Sequence, residues 1–160
     1  MVEFAPVLIP LWFLLIVSIP LFWIDIKEHR LPNRLTYPSI ALSLLGTLGA
    51  AAVFDLWSRF FTALLLTAVV TLIGYTLNYA GGFGLGDVKL LVPISQILGF
   101  FSPWFVLFAI TASLTTSAIF AIGRVLAKKL SWRDRIAFGP YLIFGYWLFA
   151  LPLGISPEYF

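Results

Sequence analysis

Charged residues divide this chain into five long uncharged stretches: Phe4–Ile24 with 21 residues, Leu35–Phe54 with 20, Phe60–Gly86 with 27, Leu90–Gly123 with 34 and Ile136–Pro157 with 22. About 20 consecutive apolar residues cross the hydrocarbon core of a bilayer as a helix. Four of the stretches therefore predict one spanning helix each, the third carrying a glycine-rich end. The stretch of 34 is long for one tilted helix, and Gly99-Phe-Phe-Ser-Pro103 places turn signals inside it. Read as two helices, it brings the prediction to an all-α, polytopic membrane bundle of about six transmembrane helices, folded as a single domain over residues 1–160.

Composition agrees with a lipid solvent. Of 160 residues, 61% are hydrophobic and 11% charged, against roughly 45–50% and 25% in soluble chains. There are too few polar groups to cover a water-facing surface. Cysteine is absent and His29 is the single histidine, which excludes thiol nucleophiles, cysteine-rich zinc sites and multi-histidine metal sites. No cofactor or metal is expected, and any chemistry falls to carboxylates, hydroxyls, Lys or Arg. Glu3 stands before the first apolar run where a cleaved signal would carry basic residues, so that run reads as a retained span.

The basic residues orient the bundle. With six spans, Lys27, Arg30, Arg34, Lys89, Arg124, Lys128, Lys129, Arg133 and Arg135 share one side and only Arg59 takes the other. Positive charge in short loops stays in the cytoplasm, which predicts both termini on the non-cytoplasmic side. The net charge of +3 is then a topology signal and a contact with anionic lipid headgroups, with no call for nucleic acid.

Topology also sorts the seven acids. Glu3, Asp55 and Glu158 fall in outer segments, whereas Asp25, Glu28, Asp87 and Asp134 fall on the cytoplasmic side. Asp25 ends the first span, and Asp87 follows Gly81-Gly-Phe-Gly-Leu-Gly86 where the fourth begins. Each carboxylate thus sits at a membrane edge, where ionised groups are costly and mark functional candidates; taken singly, either also fits an interfacial acid paired with Lys27 or Lys89, or a helix cap. Two complete spans lie between them, so both return to one face and can meet. Two adjacent carboxylates share a proton, supplying a general base for water and a general acid for a leaving amine. The glycines before Asp87 permit positive φ and close backbone approach, so an extended substrate strand can lie beside it; a flexible turn would use them equally well.

Three blocks resemble the type IV prepilin peptidase family, membrane aspartic proteases of the Gly-x-Gly-Asp kind. They are Phe22-Trp-Ile-Asp-Ile-Lys-Glu-His-Arg-Leu-Pro-Asn-Arg-Leu-Thr-Tyr-Pro38, Gly84-Leu-Gly-Asp-Val-Lys-Leu-Leu91 and Ile136-Ala-Phe-Gly-Pro-Tyr141. The resemblance implies that Asp25 and Asp87 form the catalytic pair and that Gly84 and Gly86 form the naming loop. It implies a substrate as well: a prepilin or pseudopilin-like protein, cut after a glycine at the cytoplasmic face of the cell membrane to release a basic leader. Relatives that also methylate the new N-terminus carry a cysteine-bearing domain, and without cysteine, and with Asp25 so early, this chain reads as a minimal peptidase lacking it.

Around the pair, Lys89 is a cation able to favour the ionised state, Glu28 a candidate contact for a basic leader, and Asn78 a hydrogen-bonding group between helices or onto the glycine loop. His29 reads as an interfacial bystander, and Pro32-Asn33 as the start of the second helix by turn and cap chemistry. Two other functions compete. A catalytically inactive pilus-assembly protein would keep the fold without needing both aspartates. A small proton-coupled transporter would need acids deep in the spans, whose middles read as Ser and Thr with occasional glycine.

Overall fold

The computed structural model describes residues 2–28, 30–81, 83–127 and 138–156. Met1, His29, Gly82, the stretch 128–137 and residues 157–160 lie outside them, and with them the roles read for His29, Lys128, Lys129, Arg133, Asp134, Arg135 and Glu158. After a 3-10 turn at Val2–Phe4, the described chain is six α-helices: α1 (Ala5–Glu28), α2 (Asn33–Phe54), α3 (Trp57–Tyr79), α4 (Leu85–Phe101), α5 (Pro103–Leu126) and α6 (Gly139–Ile155). Of these, α1, α2, α3 and α5 are long and apolar enough to cross a membrane, and α6 is a shorter apolar helix.

Large apolar side chains such as Ile16, Leu65, Leu72 and Ile119 point outward, an arrangement that water would penalise and lipid tails do not. The interior belongs to α4. It packs on every other helix, and from Leu90 to Phe101 only Val92 escapes burial. Helix interiors tolerate Pro10, Pro20, Pro38, Pro93 and Pro152 because neighbouring helices and hydroxyl side chains can satisfy the freed carbonyls.

The long stretch breaks where the turn signals stand, but across one residue only. Ser102 is extended, its hydroxyl accepts from the Trp104 N–H at 3.4 Å, and Pro103 occupies the first helical position of α5, where its missing N–H costs nothing. Gly99 takes no part in this turn. It lies inside α4, and a Cβ there would come 3.3 Å from Ala63 Cα, so it serves close packing of α3 on α4. At the α2–α3 turn the left-handed position is taken by Asp55, at φ 56, one of the few side chains that tolerate it.

Gln96 corrects the reading of the span middles as Ser, Thr and glycine. Fully buried in α4, it donates to Thr47 Oγ1 of α2 at 2.9 Å and accepts from Thr67 Oγ1 of α3 at 3.2 Å, while Thr47 donates on to the Ser43 carbonyl at 2.8 Å. Three helices are joined by one satisfied amide. Replacing Gln96 with Ala should cost about 1–2 kcal/mol, read from unfolding in mixed detergent. An unchanged transition would show that the amide carries no net tie.

Candidate active site

Asp25 and Asp87 reach the same end of the bundle by different routes. Asp25 stands in the last turn of α1 and is 4% exposed; Asp87 is the third residue of α4 and is 7% exposed. The two carboxylates lie near enough to interact electrostatically, in a setting largely stripped of water.

Local chemistry holds Asp87 in place. Its Oδ2 accepts from the Gly84 N–H at 3.3 Å, the reach from the third helical position back to the cap residue that satisfies an otherwise orphaned donor. Gly84 itself is extended, with φ −78 and ψ 142, and a Cβ there would fall 2.8 Å from that same oxygen. Gly86 is needed for another approach, because a Cβ would stand 3.1 Å from Leu31 Cβ and 3.2 Å from Leu31 N. Of the described glycines in this run, Gly81 alone uses the positive φ expected of it. What Gly84 and Gly86 supply is room.

The sequence left two roles open for Asn78, and its geometry selects the second: its Nδ2 donates to the Phe83 carbonyl at 2.6 Å, tying the end of α3 to the glycine loop. Phe83 then packs its ring at a tilt against Phe138, with centroids 4.7 Å apart. The next residue, Gly139, opens α6 directly against Asp25, and a Cβ on it would lie 2.6 Å from Asp25 Oδ2. The Phe138-Gly139-Pro140 block, which opens the last helix, thus brings its glycine against Asp25.

Lys89 points elsewhere. Its Nζ donates to Asn33 Oδ1 at 2.8 Å and sits 5.1 Å from the centroid of the Tyr37 ring, a cation–π contact that ties the first turn of α4 to the first turns of α2. Asn33 consequently does not cap its helix as expected. Helix α2 starts there with no side-chain cap, and the Pro32 carbonyl accepts from Leu35 N and Thr36 N. Glu28 lies in the open at the end of α1, paired with Arg30 at 3.1 Å. Tyr37 and Phe83 are given no role of their own by the sequence, since each meets a partner distant along the chain, Lys89 and Phe138.

The type IV leader peptidase family matches residues 12–122, a range containing both aspartates. The chain belongs to that family. The prepilin leader peptidase/N-methyltransferase of Aeromonas salmonicida is 32% identical over 146 residues, covering 82% of this chain and 45% of that relative. The prepilin peptidase EppA of Methanothermobacter thermautotrophicus is 41% identical over 78 residues, or 48% of this chain and 20% of the relative. This leader peptidase family member therefore spans less than half the length of these curated relatives. No solved structure matches it. Family membership, with four helices able to cross a bilayer, makes it a multi-pass membrane protein. Phe138, Gly139 and Pro140 lie beyond the matched range, so their place beside Asp25 rests on the structure of this family member itself.

Proposed function

We propose that this chain is an aspartic endopeptidase that removes the basic leader of a prepilin or pseudopilin-like protein, cutting after a glycine at the cytoplasmic face of the cell membrane. The observation that carries the reading is the meeting of two buried carboxylates, from α1 and α4, at one end of a largely apolar bundle. One carboxylate takes a proton from water as the water oxygen adds to the peptide carbonyl. The other, protonated, gives its proton to the amide nitrogen as the C–N bond breaks. The products are a leader carboxylate and a new amine, and no metal or cofactor is called on. Gly84 and Gly86 shape the loop beside Asp87, Asn78 fastens it, and Lys89 secures the start of α4 through Asn33. Glu28 is placed to meet a cationic leader residue in exchange for Arg30.

Six spans with both termini outside put this end of the bundle in the cytoplasm, next to anionic headgroups. Purified protein in phospholipid vesicles should cut a synthetic prepilin once, after the leader glycine, as read by mass spectrometry of the two products. Absence of that cut, or cutting at scattered positions, would refute the assignment. For the topology, single cysteines replacing Asp55 and Lys128 should label from opposite faces of sealed vesicles. Labelling from the same face would overturn six spans.

A further inference from the structure

A groove of about 330 Å³ runs between α1 and α6, within the roughly 300–1,000 Å³ typical of ligand sites. Ile19, Phe22 and Trp23 line it from α1, and Pro140, Phe144 and Trp147 from α6. One end of it lies next to the candidate active site. Phe22 precedes Asp25 by one helical turn, and Pro140 follows the glycine that abuts Asp25 Oδ2. From Pro140 to Trp147 the groove descends two turns of α6, on the order of 10 Å.

Its deep end is sealed by a hydrogen bond from Trp147 Nε1 to Ser18 Oγ at 2.7 Å, and Ser18 Oγ in turn donates to the Leu15 carbonyl at 2.6 Å. The polar atoms there are already partnered with each other, so nothing in the groove asks for a polar ligand. Ile19 and Phe144 are half exposed, at 50% and 47%. The surface therefore offers apolar contact alone, it lies at membrane depth, and it starts about one helical turn from Asp25.

The geometry points to this groove as the subsite for the substrate's apolar membrane helix, seating its first two turns beyond the scissile bond. This rests on the peptidase reading of Asp25 and Asp87 and adds where the uncleaved side of the substrate goes. Nearness to Asp25 favours a peptide over a lipid chain, because a chain bound at Asp25 has the groove's end at Phe22 and Pro140 directly beside it. Leader charge is read elsewhere, so the groove selects on apolar side-chain volume after the cut.

Two substrates separate the possibilities in vesicles of zwitterionic and anionic phospholipid: one with the leader, the glycine and a full apolar helix, the other truncated shortly after the cut site. Ile19→Trp, which fills the groove from its rim, and Phe144→Ala, which removes a wall, should each raise KM for the long substrate about tenfold. Turnover at saturation and cleavage of the truncated substrate should stay within about twofold of wild type. An unchanged KM for the long substrate in both variants overturns the subsite. A photoreactive benzophenone side chain placed at Phe144 gives a readout that needs no catalysis. Cross-linking to the first two turns of the long substrate's helix supports the subsite, and cross-linking only to lipid overturns it. Should wild type cut neither substrate, the peptidase reading fails, and the cross-link still decides what occupies the groove.

Discussion

Asp87→Asn is expected to slow leader cleavage by about 10²–10⁴-fold, the usual worth of a positioned acid or base, with the bundle intact. Asparagine preserves the volume and a carbonyl oxygen able to accept from the Gly84 N–H, now 3.3 Å from Asp87 Oδ2, so the start of α4 keeps its cap while proton transfer is lost. Asp25→Asn should show the same loss. The double variant should be little worse than either alone, because groups that act as one unit do not lose activity additively. Initial rates in vesicles give the activity, and unfolding in mixed detergent checks the fold. Full activity in either single variant would sink the paired-carboxylate mechanism.

Gly139→Ala should be the most damaging change that removes no chemical group from the site. The added Cβ would fall 2.6 Å from Asp25 Oδ2 and 3.0 Å from its Cγ, closer than non-bonded atoms approach, so either the carboxylate turns or α6 backs away. A displacement near 1 Å at a reacting group can cost on the order of 10²-fold, and that is the expected fall in kcat. Stability should move far less, since Gly139 is the first residue of α6, where alanine suits the helix at least as well as glycine, and turning one carboxylate relieves the clash. Activity lost while unfolding stays near wild type is the expected signature. A fully active Gly139→Ala enzyme would show that α6 does not hold Asp25 in the working state.

How much of this site could be read along the chain differs residue by residue. Asp25 and Asp87 stand out because carboxylates at the ends of apolar spans are rare and costly. Gly84 and Gly86 are visible as a motif, but their use is not: one clears Asp87 Oδ2 and the other clears Leu31, contacts that depend on how two loops approach. Asn78 could be narrowed to two partners and no further. Lys89 lies two residues from Asp87, yet its ammonium bonds Asn33, 56 residues away. Gln96 is a plain polar residue in a hydrophobic run, and only the packing of α2 and α3 around α4 turns it into a bridge.

From its sequence alone the chain is an apolar helical protein with a break somewhere within Gly99–Pro103 and two carboxylates that an even number of intervening spans returns to one end. Those properties follow from local composition and from the length a helix needs to cross a bilayer, and neither depends on a neighbour. Only the tertiary structure decided that α4 is the buried centre, that Gly139 backs Asp25, and that a groove leads from the site between α1 and α6. The physical reason is the solvent. In lipid every helix may be apolar on all sides, so hydropathy does not reveal which face meets protein; small residues, side-chain shape and a few interhelical hydrogen bonds decide that, and they act only once the helices are side by side.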